Sequence, residues 1–137
     1  AVGKVQLSAA LRVPAGAPAA HEALRRFADP IYLHQVTERD ADGTLSSWHD
    51  LPEALASEHD GHEWRVHFHV PIFLEGYEAL ESTQDHLRRT IELVRERSVS
   101  DHLEIETYTW DVLPADLKAS SVDSIAREYE WVLGVLG

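Results

Sequence analysis

Four segments with strand character, each followed by helical material, constrain what this chain can fold into. The strand-like segments lie near residues 4–10, 31–37, 64–70 and 103–109, and each is short, rich in β-branched or aromatic residues and bounded by Gly, Pro or Asp. Helical patterns follow them, most clearly over residues 78–97 and 121–136. The last helix carries an apolar stripe at Val122, Ile125, Ala126, Tyr129, Val132 and Leu133. This alternation favours βα units around a parallel sheet.

Four βα units amount to half of an eight-stranded (β/α)8 barrel. We therefore predict a single α/β domain over residues 1–137, built as the C-terminal half of a TIM barrel with parallel strands near the four positions given above. A free-standing four-stranded α/β sandwich is the alternative. The chain contains no methionine, even at position 1, and opens almost directly on a strand-like segment. These features favour a fragment of a longer chain.

Composition limits the partners that the protein can have. Its 44% hydrophobic and 26% charged residues are typical of a soluble globular domain. The 12 basic and 24 acidic residues give a net charge of −12, which disfavours nucleic acid and anionic membranes because both would be repelled. Cysteine is absent, and so is an apolar run of about 18 residues. We expect a cytoplasmic protein without disulfides, thiolate metal sites or membrane insertion.

The strand-like segments carry polar residues where a parallel strand covered on both faces would be apolar. The residues that share this pattern are Gln6, His34, His67, His69, Glu104 and Glu106. Side chains alternate between the two faces of a strand, so these residues would converge on one face, which is the interior of a barrel. Burying such groups without partners costs roughly several kcal/mol each. The pattern therefore predicts a site.

Imidazole and carboxylate groups together are typical ligands of Zn²⁺ or Mn²⁺. The predicted metal ligands are His69, His67, Glu106, His34 and Gln6, the last as a weaker oxygen donor. Glu104 and His34 are the predicted catalytic groups that move a proton. His69, nearer the C-terminal end of its strand, is the ligand that position favours, and His67 is the alternative. His67 would equally suit an ion pair with Glu104 in the lower barrel, so the choice stays open.

Several stretches of the sequence resemble the EboE-type metabolite traffic proteins. They are YLHQV, a DG turn, DLPEAL, WRVHFHVPIF, STQ and HLEIETYTWDVLP, and together they span nearly the whole chain. This family belongs to the xylose isomerase-like, sugar phosphate isomerase/epimerase-like TIM barrels, so the resemblance implies the C-terminal half of such a barrel. It also implies a divalent metal held by one side chain from each of the last four strands. A histidine on the third strand and Glu106 match that set, whereas Gln6 and His34 stand where acids are usual.

Two functional hypotheses follow. The first is a metal-dependent isomerase, epimerase or lyase that acts on a small polar or sugar-like metabolite by proton transfer. The second is a metabolite-binding or carrier protein without turnover, which the replaced acids would allow. Besides the metabolite, the expected partner is the N-terminal half of the same barrel or a second copy of the chain, because half a barrel leaves two open sheet edges.

Overall fold

The computed structural model describes residues 2–14, 17–28, 30, 32–57, 61–106 and 120–137, apart from the side chain of His69. Within these residues the strands are β1 Val5–Leu7, β2 Ala9–Pro14, β3 Val36–Arg39, β4 Leu45–Trp48, β5 Glu63–Val70, β6 Gly76–Tyr77, β7 Leu80–Ser82 and β8 Leu103–Ile105. The α-helices of the same residues are α1 Pro18–Leu24, α2 Leu51–Ala56, α3 Gln84–Arg97 and α4 Ser121–Leu136. None of these helices is long and apolar enough to cross a membrane.

The chain divides into two compact units. We call Ala1–Ala9, His69–Glu75 and Thr83–Gly137 the helical unit, and Ala10–Phe68 with Gly76–Ser82 the sheet unit.

The sheet unit is built on a six-stranded sheet of order β4-β3-β5-β2-β7-β6. β3 pairs antiparallel with β4 and β5, and β7 pairs antiparallel with β2 and β6. α1 lies against β7, and α2 lies against β4. The larger buried apolar side chains of this unit are Leu11, Val13, Leu24, Phe27, Val36, Leu51, Trp64, Val66, Phe68 and Leu80.

The turn at residues 40–43 makes β3 and β4 a hairpin. The N–H of Asp40 donates to the carbonyl of Thr44 at 2.9 Å, and the N–H of Gly43 donates to the carbonyl of Asp40 at 3.0 Å. Gly43 has a φ of +90°, which a residue without a Cβ adopts readily. The carboxylate of Asp42 accepts from the N–H of Thr44, and hydrogen bonding to Thr44 lowers the pKa of that carboxyl. The chain therefore reverses here, and the next strand returns antiparallel.

The predicted half-barrel of four parallel strands is wrong. The strands found near residues 31–37 and 64–70 are β3 and β5, and they pair antiparallel. The segment near 4–10 is divided between β1 and β2. In the segment near 103–109, only residues 103–105 form a described strand, and residues 107–109 lie outside the described part. Two short stretches explain the error. LSSW after the turn forms β4, and residues 76–82, predicted in part as helix, contain β6 and β7. An antiparallel sheet with one solvated face shows the same polar alternation as a barrel interior.

The helical unit contains the parallel pair of β1 and β8, with α3 packed against α4. α3 buries Leu87, Ile91 and Val94, one helical face, and ends at Ser98 in the left-handed conformation. These side chains recur at spacings of four and three residues, so they share one face of the helix.

α4 has the predicted bounds but a different buried face. Its N-terminus is capped by Ser120, whose hydroxyl accepts from the N–H of Asp123. The buried side chains are Ser124, Glu128 and Val132. The outward residues of α4 include Val122, Tyr129 and Leu133, which are 73%, 55% and 62% exposed.

Candidate functional site

The outer side of β3 and β5 is a polar surface. In β5, Val66 and Phe68 are buried while His67 on the other side is exposed, which is the alternation that the sequence predicts. Thr37 lies opposite Arg65, and the N–H of His67 donates to the carbonyl of Gln35 at 2.8 Å, one step further along the same antiparallel ladder. Residues directly opposite in such a ladder project on the same side. We call Gln35, Thr37, Arg65 and His67 the polar face.

Neighbouring groups hold part of this polar face in place. The Nε of Arg65 donates to Oε1 of Glu63 at 2.9 Å, and a guanidinium nitrogen of Arg39 lies 3.4 Å from the same oxygen. The hydroxyls of Thr37 and Ser47 are 3.5 Å apart. The polar face thus offers an amide, a hydroxyl, a guanidinium and an imidazole, which supply both hydrogen-bond donors and acceptors.

His34 lies behind this surface, in the core of the sheet unit. Its side chain is 2% exposed, and its ring stacks on Phe68 with centroids 4.7 Å apart and an interplanar angle of 22°. Its backbone N–H donates to Oδ1 of Asp50 at 2.9 Å, and the same oxygen accepts from the N–H of Leu51 at the start of α2. Because Phe68 and His67 lie on opposite sides of β5, the structure separates two predicted metal ligands, His34 and His67.

Glu38, which is not among the predicted site residues, is a buried carboxylate of the sheet unit. It accepts a hydrogen bond at Oε2 from the indole N–H of Trp64, whose ring is met edge-on by His21 at 4.7 Å. A Cβ at Gly61 would overlap the Glu38 side chain. The alternation of side chains along a strand could have predicted this burial. Glu38 follows the buried Val36 by two residues and therefore lies on the same side of β3.

In the helical unit, Gln6 and Glu104 are brought together by the pairing of β1 with β8. They lie opposite each other in the parallel register of β1 and β8, and both are exposed. The carboxylate of Glu104 forms an ion pair with Lys4. Glu106, just beyond β8, is half-buried and donates its N–H to the carbonyl of Leu7 at 3.0 Å.

Glu128, which the sequence analysis did not select, is the buried acid of α4. Its carboxyl is 3% exposed, and Oε1 accepts from the N–H of Ile72 at 3.3 Å. The carbonyl of Ile72 accepts in turn from Nε2 of Gln84 at 2.9 Å, so two side chains hold one peptide segment. Oε2 of Glu128 has no hydrogen-bond partner among the described residues.

Burial raises the pKa of Glu128 to about 7, because desolvation disfavours the ionised carboxylate, and the hydrogen bond from Ile72 lowers the pKa only in part. The sequence does place Ser124, Glu128 and Val132 on one helical face, at spacings of four. The burial of this face was not predicted because the apolar stripe beside it contains more residues.

The structure therefore brings together only some of the predicted metal ligands. Gln6 and Glu104 are neighbours, His34 and His67 are separated, and the side chain of His69 lies outside the described part. Across the ranges that the structure describes, no group of three or more His, Cys, Asp or Glu side chains could hold a metal ion. Zn²⁺ or Mn²⁺ binding stays a prediction.

Comparisons with known proteins add no constraint on the fold or the site. The sequence matches no family model, and neither a curated protein nor a solved structure matches the chain.

Proposed function

We propose that this protein binds a small polar metabolite on the polar face of the sheet unit, in the manner expected of an EboE-type metabolite traffic protein. The observation that supports the proposal is the position of Gln35 and His67. They are exposed polar residues of YLHQV and WRVHFHVPIF, two of the stretches that carry the family resemblance, and they lie side by side. The metabolite is bound on an open sheet surface and not inside a barrel.

Other residues of the same two stretches are buried, and the fold requires them. His34, Val36 and Phe68 fill the core, and a fold needs them whatever the protein does. Gln35 and His67 are exposed and add little to the core, so their side chains are accessible to a ligand. The guanidinium of Arg65 and the hydroxyl of Thr37 extend the hydrogen-bonding surface, which suits a ligand with several hydroxyl or carbonyl groups.

The direct test is to denature the purified protein, identify the small molecules released by mass spectrometry, and measure their binding by calorimetry. We expect His67→Ala to weaken binding about tenfold, because it removes one hydrogen-bonding group, with no loss of stability. His49→Ala is the matched control, since His49 is exposed and lies outside both stretches. Equal binding by His67→Ala and the unaltered protein would contradict the proposal.

A second candidate function is the metal-dependent isomerase, epimerase or lyase. The pairing of Gln6 with Glu104 in the β1–β8 register favours it, because two predicted site residues from distant segments lie together. Metal analysis of the purified protein tests this candidate, with His69→Ala and Glu106→Ala as variants. If neither Zn²⁺ nor Mn²⁺ copurifies and both variants leave ligand binding unchanged, this candidate is wrong and the binding function remains.

A further inference from the structure

Two exposed arginines of the helical unit, Arg88 and Arg127, lack the carboxylate partner that most arginines of this chain have. Neither forms an ion pair or a hydrogen bond with another residue of the described ranges. Carboxylates are not scarce, because the chain has 24 acidic and 12 basic residues. The arginines that do pair with a glutamate are Arg12, Arg25, Arg26, Arg39, Arg65 and Arg89.

Each of the two guanidinium groups lies over an aromatic ring instead. The guanidinium carbon of Arg127 is 4.0 Å from the ring centroid of Phe73, and that of Arg88 is 5.4 Å from the ring centroid of Trp131. A guanidinium that stacks on a ring keeps its N–H donors around its edge, where an oxyanion can accept two of them at once. Stacking also restricts the long side chain, so less conformational entropy is lost when a ligand binds.

The backbone brings both arginines to the same part of the helical unit. Ile72 lies between α3 and α4, since its carbonyl accepts from Gln84 and its N–H donates to Glu128. Arg88 follows Gln84 by one turn of α3. Arg127 directly precedes Glu128 on α4. The two helices therefore present their arginines beside one peptide segment.

The two arginines and the two rings form a single row. Phe73 contacts Arg127, Trp131 follows Arg127 by four residues on α4, and Arg88 of α3 contacts Trp131. Residues four apart on a helix lie side by side, so Arg127 and Trp131 are neighbours. We call Phe73, Arg127, Trp131 and Arg88 the arginine row. Its guanidinium groups come from different helices and lie on either side of the half-buried indole.

Acidic residues near the arginine row do not occupy its donors. Glu92 lies one turn after Arg88 but pairs with Arg89 at 3.1 Å. The carboxylates three or four residues from either arginine form no ion pair with it within the described ranges, and they are Asp85, Glu92, Asp123 and Glu130. The net charge of −12 repels anions at long range, so an anion would be held here by short-range hydrogen bonds and with modest affinity.

We propose that the arginine row binds an oxyanion, the phosphate or carboxylate group of a small metabolite, with the guanidinium edges of Arg88 and Arg127 donating to its oxygens. The site lies in the helical unit, whereas the polar face lies in the sheet unit. Binding at one of them does not require binding at the other.

A nuclear magnetic resonance titration of the intact chain at constant ionic strength tests the proposal, with inorganic phosphate and succinate as separate probes. We expect the Nε–H signals of Arg88 and Arg127 and the indole N–H signal of Trp131 to shift along one saturable curve, with a Kd on the order of millimolar. The probe that binds more tightly shows whether the group is a phosphate or a carboxylate.

Substitutions separate a site from general attraction to positive charge. Arg88→Gln and Arg127→Gln should each weaken binding about tenfold, because each removes charge-assisted hydrogen bonds. Arg127→Lys should also weaken it, since an ammonium keeps the charge but not the paired donors. Arg97→Gln is the matched control: it removes the same charge from an exposed position at the end of α3 and should leave binding unchanged.

Three results would overturn the proposal. The first is a linear shift without saturation for both probes. The second is unaltered binding by Arg88→Gln or by Arg127→Gln. The third is a loss of binding in Arg97→Gln as large as that in Arg88→Gln, which would mean that the anion responds only to the charge of the helical unit.

Discussion

β5 and α4 carry equally clear patterns of polar and apolar residues, but only β5 buries the side that its pattern predicts. In β5, Val66 and Phe68 are buried and His67 is exposed. In α4, Tyr129 and Leu133 of the apolar stripe are exposed while Glu128 is buried.

The difference shows what decides which face is buried. A strand has two faces, and the ladder to β3 fixes both at once, so a one-residue shift would expose every apolar side chain of β5. A helix such as α4 can be turned about its axis with little change in its own hydrogen bonds, so the contacts along its length select its orientation. The inward side of α4 carries the contact between Glu128 and Ile72, the buried Val132 and a row of half-buried apolar residues: Ile125, Trp131, Val135 and Leu136.

The largest effect should come from removing a side chain from the buried side of β5. Phe68→Ala should lower the free energy of unfolding by about 3–5 kcal/mol, because it deletes the ring on which His34 stacks and which Phe27 meets edge-on at 5.0 Å. Chemical denaturation measures this change. The free energy of unfolding of His67→Ala, one position away, should stay within about 0.5 kcal/mol of that of the unaltered protein. If both variants lost a similar amount of stability, the two sides of β5 would not differ in burial as described.

The next largest effect concerns Glu128 and pH. Since folding raises its pKa from 4.5 to about 7, its contribution to stability is complete below pH 4.5 and is lost as the pH rises to about 7. Above that, the free energy of unfolding should be lower by up to about 3 kcal/mol on this account. Denaturation at several pH values should show this slope in the unaltered protein and not in Glu128→Gln. Parallel pH profiles for the two proteins would mean that Glu128 titrates normally.

A smaller loss is expected at Gln84. Gln84→Ala removes the hydrogen bond to the buried carbonyl of Ile72 and leaves that carbonyl unsatisfied, which costs about 1–3 kcal/mol. The same denaturation experiment measures it. Gln84→Glu should be about as harmful, because an ionised carboxylate cannot donate to a carbonyl; full stability in that variant would show that the bond contributes nothing.

The smallest effect should be on the apolar stripe of α4. Leu133→Ser should change the free energy of unfolding by no more than about 0.5 kcal/mol, since this leucine is largely exposed. A loss as large as that of Phe68→Ala would mean that α4 docks by its apolar stripe after all.

Much of the local structure was predictable from the sequence, but the pairing of the strands was not. The extent of β5, the bounds of α4 and the turn at residues 40–43 follow from patterns within a few residues. β4, β6 and β7 are short and poor in β-branched residues, so they give almost no local signal. Without them, β3 and β5 resemble strands separated by helices, and antiparallel pairing cannot be recognised.

The candidate site shows the same limit at the level of single residues. His67 and Arg65 share the polar side of β5 because side chains two residues apart in a strand lie on the same side. Whether that side faces a closed interior or solvent depends on partner strands, which is why it was expected inside a barrel. Glu128 was missed because its burial depends on Ile72, a contact between segments far apart in sequence.

Gly61 and Glu38 have a consequence for how this sequence can vary. Any side chain at position 61 meets the Glu38 side chain, so a substitution there is tolerated only when position 38 becomes shorter at the same time. Gly61→Ala should therefore be harmful alone and largely rescued by Glu38→Ala, apart from the lost hydrogen bond of Trp64. The two positions, remote in sequence, should change together or not at all.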